Sequence, residues 1–291
     1  MHFTRRGLLG LATATVILAG CGAQDGSNTS GQVQVFASTI VWASVAEAVG
    51  GDKVKVTSPI TSPEQDPHDY EATAQDKLAM SQSKVVVLNG GGYDSWAATL
   101  VDSLETKPAV VDAFAVTGLK EGQNEHVFYD LDTAMAVANQ VAARLSEADP
   151  DNASGYQERA AGFVGRIKEL RTRALDWGKA HGGAKVVSTE SVAEYLLADL
   201  GLTDVTPPEY IRQSESQSGP SVAVIEKTRQ LIGTEAKVLV VNGQTEDSVS
   251  KRLVARAEET GAKVVKVYET FPQGVNDYLT FIGNAVDSLT A

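Results

Sequence analysis

Two of the four histidines stand in loops beside carboxylates, where an imidazole nitrogen could bind a metal ion. His68 follows a predicted strand and His126 precedes a predicted helix, and each has an acidic neighbour in the chain. His2 belongs to the N-terminal apolar leader, and His181 lies beside two glycines at a predicted helix end. Imidazole and carboxylate together suit divalent first-row metals, so His68 and His126 are the candidate metal ligands.

The loop around His68 is acidic and conformationally restricted. It reads Asp66-Pro67-His68-Asp69-Tyr70-Glu71, with Pro63 shortly before it. Carboxylates that accept a hydrogen bond from an imidazole orient the ring and raise its basicity, as metal-binding histidines require. An exposed loop histidine with no ligand is an equally good interpretation of this position taken alone.

His126 lies in the segment Asn124-Glu125-His126-Val127-Phe128-Tyr129-Asp130. A metal ligand and a helix-capping or core-edge histidine are both compatible with that place. The two loop histidines are 58 positions apart, and the chain has no H-E-x-x-H and no C-x-x-C motif. Spacing alone therefore leaves the metal hypothesis open.

Catalytic motifs are missing from the sequence. It contains neither a G-x-S-x-G elbow nor a phosphate-binding G-x-x-x-x-G-K-[ST] loop. The glycine-rich Asn89-Gly90-Gly91-Gly92 lacks the spacing of a dinucleotide fingerprint and is typical of a turn after a strand. No particular serine is marked as a nucleophile.

The composition is that of a globular, acidic protein of about two domains. The 291 residues are 43% hydrophobic and 21% charged, which excludes a disordered or collagen-like chain. The net charge of −12 argues against a nucleic-acid partner and is compatible both with a cationic cargo and with a merely soluble acidic surface.

The N-terminus has the pattern of an export signal. Arg5 and Arg6 precede an apolar run from Leu8 to Ala19, which is shorter than a membrane-spanning helix requires. The run ends in Leu18-Ala19-Gly20-Cys21, which resembles the bacterial lipoprotein processing box and implies lipidation of the only cysteine. We expect a signal peptide at 1–20, exported by the general or the twin-arginine route, and a lipidated tether at 21–32 that holds the body on the extracytoplasmic face of the cell membrane.

The body alternates short β-rich runs with amphipathic segments, a pattern that predicts the α/β class with parallel sheets. Two echoing runs, Lys84–Gly90 (KVVVLNG) and Lys237–Gly243 (KVLVVNG), each end in Asn-Gly. We expect an N-terminal lobe at 33–148, a linking helix at 149–183 and a C-terminal lobe at 184–291. Ligands of such proteins bind at the carboxyl ends of the strands, here in the cleft between the lobes.

The linking helix is predicted from seven apolar residues spaced alternately four and three apart. They all fall on one face, and no proline interrupts the stretch from Asp151 to His181. A helix of this length spans roughly 45 Å, the length of a whole domain. The seven residues are Tyr156, Ala160, Phe163, Ile167, Leu170, Ala174 and Trp177.

From about residue 33 to the C-terminus the chain resembles the cluster A-I solute-binding proteins, the zinc and manganese receptors of ABC importers. The most specific stretch is Asp66-Pro67-His68-Asp69-Tyr70-Glu71, which is similar to the family's first ligand loop. His126-Val127-Phe128-Tyr129-Asp130 resembles its second histidine motif, and Asn89-Gly90 with Trp96 resembles another recurrent segment. The processing box and the long helix fit the same family.

The resemblance implies a set of metal ligands drawn from both lobes. His68 and His126 match the two ligands of the N-terminal lobe, and Glu190 matches the third position, where zinc members often have histidine. The fourth ligand in the family is usually an aspartate near the start of the last helix, which makes Asp277 the candidate and Glu269 the reserve. One Zn²⁺ or Mn²⁺ ion is the implied cargo.

The implied function is a monomeric receptor that delivers the metal to an ABC permease, with no catalytic role. Three alternatives stand beside it: a receptor for an organic chelate such as a siderophore or haem, a surface adhesin, and a zinc hydrolase. A hydrolase needs an open coordination position and a general base, which four protein ligands would not leave.

Overall fold

The structure, a computed structural model, describes residues 31–216 and 218–291. The predicted signal peptide at 1–20, the lipidation site Cys21 and all but the last two residues of the tether lie outside the described residues. Within the described ranges, none of the helices combines the length and the apolar character needed to cross a bilayer.

The N-terminal lobe is built on a four-stranded parallel sheet in the order β2-β1-β3-β4. Its central strands are almost wholly apolar, as expected for strands covered by helices on both faces. The strands are β1 (Val33–Ala37), β2 (Val54–Thr57), β3 (Val85–Leu88) and β4 (Ala109–Asp112). The helices are α1 (Ile40–Gly50), α2 (Ala74–Gln82), α3 (Ser95–Asp102), α4 (Ala113–Thr117) and α5 (Leu131–Ala148).

The C-terminal lobe repeats that topology, with a parallel sheet in the order β6-β5-β7-β8. One long helix, α6 (Ala153–His181), joins the lobes. The strands are β5 (Lys185–Ser188), β6 (Thr203–Asp204), β7 (Val238–Asn242) and β8 (Lys263–Val267). The helices are α7 (Glu194–Asp199), α8 (Pro208–Ser214), α9 (Val222–Leu231), α10 (Ser248–Thr260) and α11 (Tyr278–Thr290).

The predicted class, two parallel α/β lobes joined by a long helix, is confirmed. The pattern missed β6, which has only two residues, and α8, a seven-residue helix that begins at Pro208. The fourth strand ends at Asp112 because the Asp112 carboxylate accepts a hydrogen bond from the Ala115 backbone N–H and starts α4.

The linking helix buries one face, as the apolar spacing predicts. Of the seven residues, Leu170 and Trp177 are half-buried against the core and the other five are fully buried. The buried face packs on α5 and α1 of the N-terminal lobe and on α11 from the end of the chain. The helix thus contributes to the cores of both lobes.

Tyr278, the first residue of α11, links the C-terminal helix to the N-terminal lobe. Its ring stacks on Trp42 at 6.4 Å between centroids and packs on Phe163 of α6 at 5.8 Å. Its hydroxyl donates to the Phe128 carbonyl at 2.7 Å, and its backbone N–H donates to Ser44 Oγ at 2.9 Å. One apolar core therefore runs continuously through both lobes.

We expect Phe163→Ala to lower the free energy of unfolding by about 3–5 kcal/mol, because it leaves a cavity where α6, α11 and α1 meet. Urea denaturation followed by circular dichroism measures this. Arg166→Ala, on the exposed face of the same helix, is the matched control and should change the free energy by less than about 0.5 kcal/mol. Equal effects of the two substitutions would show that the shared core does not stabilise the protein.

Candidate metal centre

The candidate ligands follow the strands of both sheets. His68 lies in the loop between β2 and α2, and His126 directly precedes a 3-10 turn that leads into α5. Glu190 and Glu269 each lie two residues beyond a strand, β5 and β8 respectively. Because the carboxyl ends of parallel strands meet at one edge of a sheet, both lobes contribute side chains to the same cleft.

The cleft holds a cavity of about 430 Å³ that all four of these residues line. No lysine or arginine is among the described residues that line it. A cavity walled by one sign of charge concentrates ions of the opposite sign. The acidic residues around it are Asp66, Asp69, Glu125, Glu190, Glu215, Asp247 and Glu269.

His68 is oriented by its own loop. Its Nδ1 lies 3.1 Å from Asp66 Oδ1, and the same oxygen accepts the His68 backbone N–H at 2.9 Å. Trp96 Nε1 donates to the Pro67 carbonyl at 3.1 Å and ties the loop to α3. With Nδ1 engaged, Nε2 is the nitrogen left for a ligand, and it lies 3.4 Å from Glu125 Oε1.

His126 is held in the same way but is buried. Asn124 Oδ1 accepts from the His126 backbone N–H at 2.9 Å and lies 2.8 Å from its Nδ1. The free Nε2 lies 3.8 Å from Glu269 Oε2, across the cleft. The ring centroids of His68 and His126 are 6.2 Å apart, so one small ion could contact both imidazoles.

A single amide holds the two glutamates of the C-terminal lobe. Asn242 Nδ2 donates to Glu190 Oε2 and to Glu269 Oε1, each at 2.7 Å, and the Thr245 hydroxyl donates to Glu190 Oε1. Glu269 Oε2 is buried and has no hydrogen-bond partner among the described residues. A buried carboxylate oxygen without a partner is costly, and a cation bound beside it would remove that cost.

The surroundings of the cluster shift the pKa values of three of its ionisable groups. Burial raises the pKa of Glu269 to about 7, and the nearby Glu190 adds to the rise. Burial lowers the pKa of His126 to about 4. Burial acts to lower the pKa of His68 too, but hydrogen bonds to Asp66 and Glu125 outweigh it and raise that pKa to about 10.

The structure does not bring Asp277, the expected fourth ligand, to this cluster. Asp277 is exposed and is the N-cap of α11, where its carboxylate accepts from the Thr280 backbone N–H at 2.9 Å and the Thr280 hydroxyl at 2.7 Å. An aspartate just before a helix is used as its cap. Glu269, the reserve, is the residue that lines the cavity.

Several supporting residues were not found from the sequence. Asn242 and Thr245 bond to glutamates more than twenty positions away, so no local spacing reveals them. The one signal was the echo of the two strands that end in Asn-Gly. Asn89, which directly follows the corresponding strand β3 of the N-terminal lobe, donates through Nδ2 to the Glu125 carbonyl at 2.8 Å and so holds the His126 loop.

The Asn89 turn is itself fixed by buried polar groups. Trp42 Nε1 donates to Asn89 Oδ1 at 3.0 Å, and the Asp94 carboxylate accepts the backbone N–H groups of Asn89 and Gly90. Gly90 has a φ of 77°, and a Cβ there would lie 2.2 Å from Asp112 Oδ1, so only glycine fits.

Asn124 connects the His126 loop to the other lobe. The Asn124 Nδ2 donates to Glu194 Oε2 at 2.7 Å and to the Ser191 carbonyl at 2.9 Å. The Tyr195 hydroxyl donates to the backbone carbonyl of Asn124 at 2.6 Å. One side chain thus orients a candidate ligand of the N-terminal lobe and bonds to the C-terminal lobe.

Known proteins share this architecture. The periplasmic zinc-binding protein TroA of Treponema pallidum has a TM-score of 0.75 at 15% identity, and the match covers 89% of this chain and 98% of TroA. The solute-binding protein FpvC of Pseudomonas aeruginosa, solved with Ni²⁺, has a TM-score of 0.73 at 24% identity over 89% of this chain and 96% of FpvC. These likenesses confirm the two-lobed fold.

The sequence comparison gives the family. The chain is 27% identical over 262 residues to PsaA of Streptococcus pneumoniae, a manganese ABC transporter substrate-binding lipoprotein, with 84% of this chain and 83% of PsaA covered. The family model described as ZnuA, the periplasmic component A of the zinc-uptake complex, matches residues 35–291. This match covers nearly the whole described body, and the family it describes is an uptake component and not an enzyme. The chain belongs to the ZnuA family of metal-uptake receptors.

Proposed function

We propose that this protein is the extracytoplasmic receptor of an ABC importer, which captures Mn²⁺ or Zn²⁺ in the cleft and delivers it to a membrane permease. The observation that carries the proposal is the unpartnered Glu269 Oε2, which lies buried beside His126 Nε2 in a cavity walled by carboxylates. A cation between the two atoms would satisfy both.

The proposed ligands are His68, His126, Glu190 and Glu269. Two imidazoles and two carboxylates form a donor set that both Zn²⁺ and Mn²⁺ accept. The Nδ1 contacts to Asp66 and Asn124 support it, because metal-binding histidines use the other ring nitrogen in such a contact.

We further propose that the receptor is a monomer anchored by lipid on Cys21, with residues 21–32 as its tether. An organic chelate fits the cleft less well than a bare cation. Siderophores and haem carry anionic groups, and the seven acidic residues that line the cavity would repel them.

Glu269→Gln should weaken Mn²⁺ and Zn²⁺ binding by about 100-fold or more, because it removes the charge that faces the ion while keeping the side chain's size. Isothermal titration calorimetry measures both affinities. Asp277→Asn is the matched control: asparagine also caps helices, and the affinities should stay within about twofold. Loss of binding in Asp277→Asn with normal binding in Glu269→Gln would refute the proposed ligand set.

Metal binding should release protons and weaken as the pH falls. The ion displaces the proton of His68, whose pKa of about 10 keeps it protonated at neutral pH, and below pH 7 it also displaces that of Glu269. Apparent affinity should fall about tenfold per unit from pH 9 to 7 and about a hundredfold per unit below pH 7. Calorimetry in buffers of different ionisation enthalpy counts the protons, and an affinity that is constant from pH 8 to 6 would contradict the site.

Asn242→Ala should weaken metal binding by about 10–100-fold although Asn242 is not itself a proposed ligand. The substitution frees Glu190 and Glu269 from their shared donor and leaves two like charges unrestrained. Competition against a fluorescent chelator measures the affinity, with the exposed Asn284→Ala as control. Unchanged affinity in Asn242→Ala would mean that the amide does not position the carboxylates.

A further inference from the structure

Glu125, a residue of the N-terminal lobe, is a third glutamate that lies beside the two imidazoles. Its Oε1 lies 3.4 Å from Nε2 of His68, the ring nitrogen left free for a ligand. Single donor atoms of His68, Glu125 and His126 all lie within 4.8 Å of one another. Its side chain is 26% exposed and lines the cavity, so it can adjust toward an incoming ion.

The separation matches two ligands of one metal. Donor atoms that each lie about 2.1 Å from an ion are about 3.0–3.4 Å apart when the angle at the ion is about 90–110°. The 3.4 Å between Glu125 Oε1 and His68 Nε2 is at the wide end of that range. An ion bound to His68 through Nε2 therefore lies within coordinating distance of Glu125.

The backbone of Glu125 is held in place independently of the cation. Asn89 Nδ2 donates to its carbonyl, and the Asn124 side chain fixes the next residue, His126, through its backbone N–H and its ring. The carboxylate is thus presented to the cleft by a preorganised loop, as a metal ligand requires.

We propose that Glu125 is a fifth metal ligand, which makes the site a five- or six-coordinate centre of two imidazoles and three carboxylates that favours Mn²⁺ relative to Zn²⁺. The inference rests on the proposed function and adds a selectivity determinant to it. Zn²⁺ is satisfied by four ligands in a tetrahedron, whereas Mn²⁺ is a harder ion that prefers more oxygen donors. Zn²⁺ still binds tightly by its intrinsic affinity, so the ratio of the two affinities is the quantity that Glu125 sets.

The test compares Glu125→Gln and Glu125→Ala with Asp69→Asn in the purified protein. Asp69 is an exposed acid that lines the same cavity, so its substitution removes the same charge without removing a proposed donor. Mn²⁺ and Zn²⁺ affinities are measured for each protein, and a crystal structure of the unchanged protein with Mn²⁺ shows whether a Glu125 oxygen lies within about 2.3 Å of the ion. The alanine variant is included because a glutamine oxygen can still coordinate weakly.

Both Glu125 variants should lose at least about tenfold in Mn²⁺ affinity and less than about threefold in Zn²⁺ affinity. Asp69→Asn should lower both affinities equally and slightly. A bound Mn²⁺ ion that Glu125 does not contact, or equal losses for the two metals as in Asp69→Asn, would overturn the role of Glu125. A wild-type protein that binds neither metal would instead refute the proposed function.

Discussion

The apolar contact between the lobes is the constraint on which the metal centre depends. Tyr278 packs against Trp42 and Phe163 and donates to the Phe128 carbonyl, so the last helix joins the two lobes in one core. The proposed ligands come from loops of both lobes, and their separation is set by this packing beneath them. Interiors packed in this way deform little, which is why we expect metal binding to move the lobes by a small amount.

The cleft between the lobes brings together buried ionisable groups whose charged forms are costly there. Glu269 is buried with one unpartnered oxygen and its pKa is raised to about 7, while the buried His126 has a pKa lowered to about 4. Asn242 restrains the glutamates, but one side chain cannot neutralise two negative charges. A bound cation would supply positive charge beside these carboxylates, and its release would take that charge away again. Such a site suits a receptor that binds its cargo reversibly.

The sequence predicted the fold because both lobes follow simple rules. Apolar runs that alternate with amphipathic segments predict parallel sheets, and the apolar spacing from Tyr156 to Trp177 predicts the long helix. The acidic loops marked His68 and His126, and the family resemblance added Glu190. For Asp277 the sequence was ambiguous, because an acid just before the last helix satisfies the ligand pattern and the capping rule equally well, and only tertiary structure separates the two roles.

Other parts of the site could not be predicted because they join residues that are distant in the chain. Asn242 meets Glu190 and Glu269 only after β5, β7 and β8 have paired in one sheet. The strand β3, which Asn89 directly follows, and the strand β7, which ends at Asn242, occupy the same place in the two sheet orders. Each asparagine side chain supports ligand loops of its own lobe. The similarity of the two sequence runs that end in Asn-Gly thus corresponds to equivalent positions in the two sheets. The sequence alone does not reveal which residues the two asparagines contact.

If one metal ion is held by both lobes at once, anomalous diffraction from crystals grown with Mn²⁺ will locate that ion between the two lobes. We expect one anomalous peak in the cleft, about 2.0–2.3 Å from Nε2 of His68 and of His126 and from oxygens of Glu190 and Glu269. A peak bound to one lobe only, or beside Asp277, would contradict it.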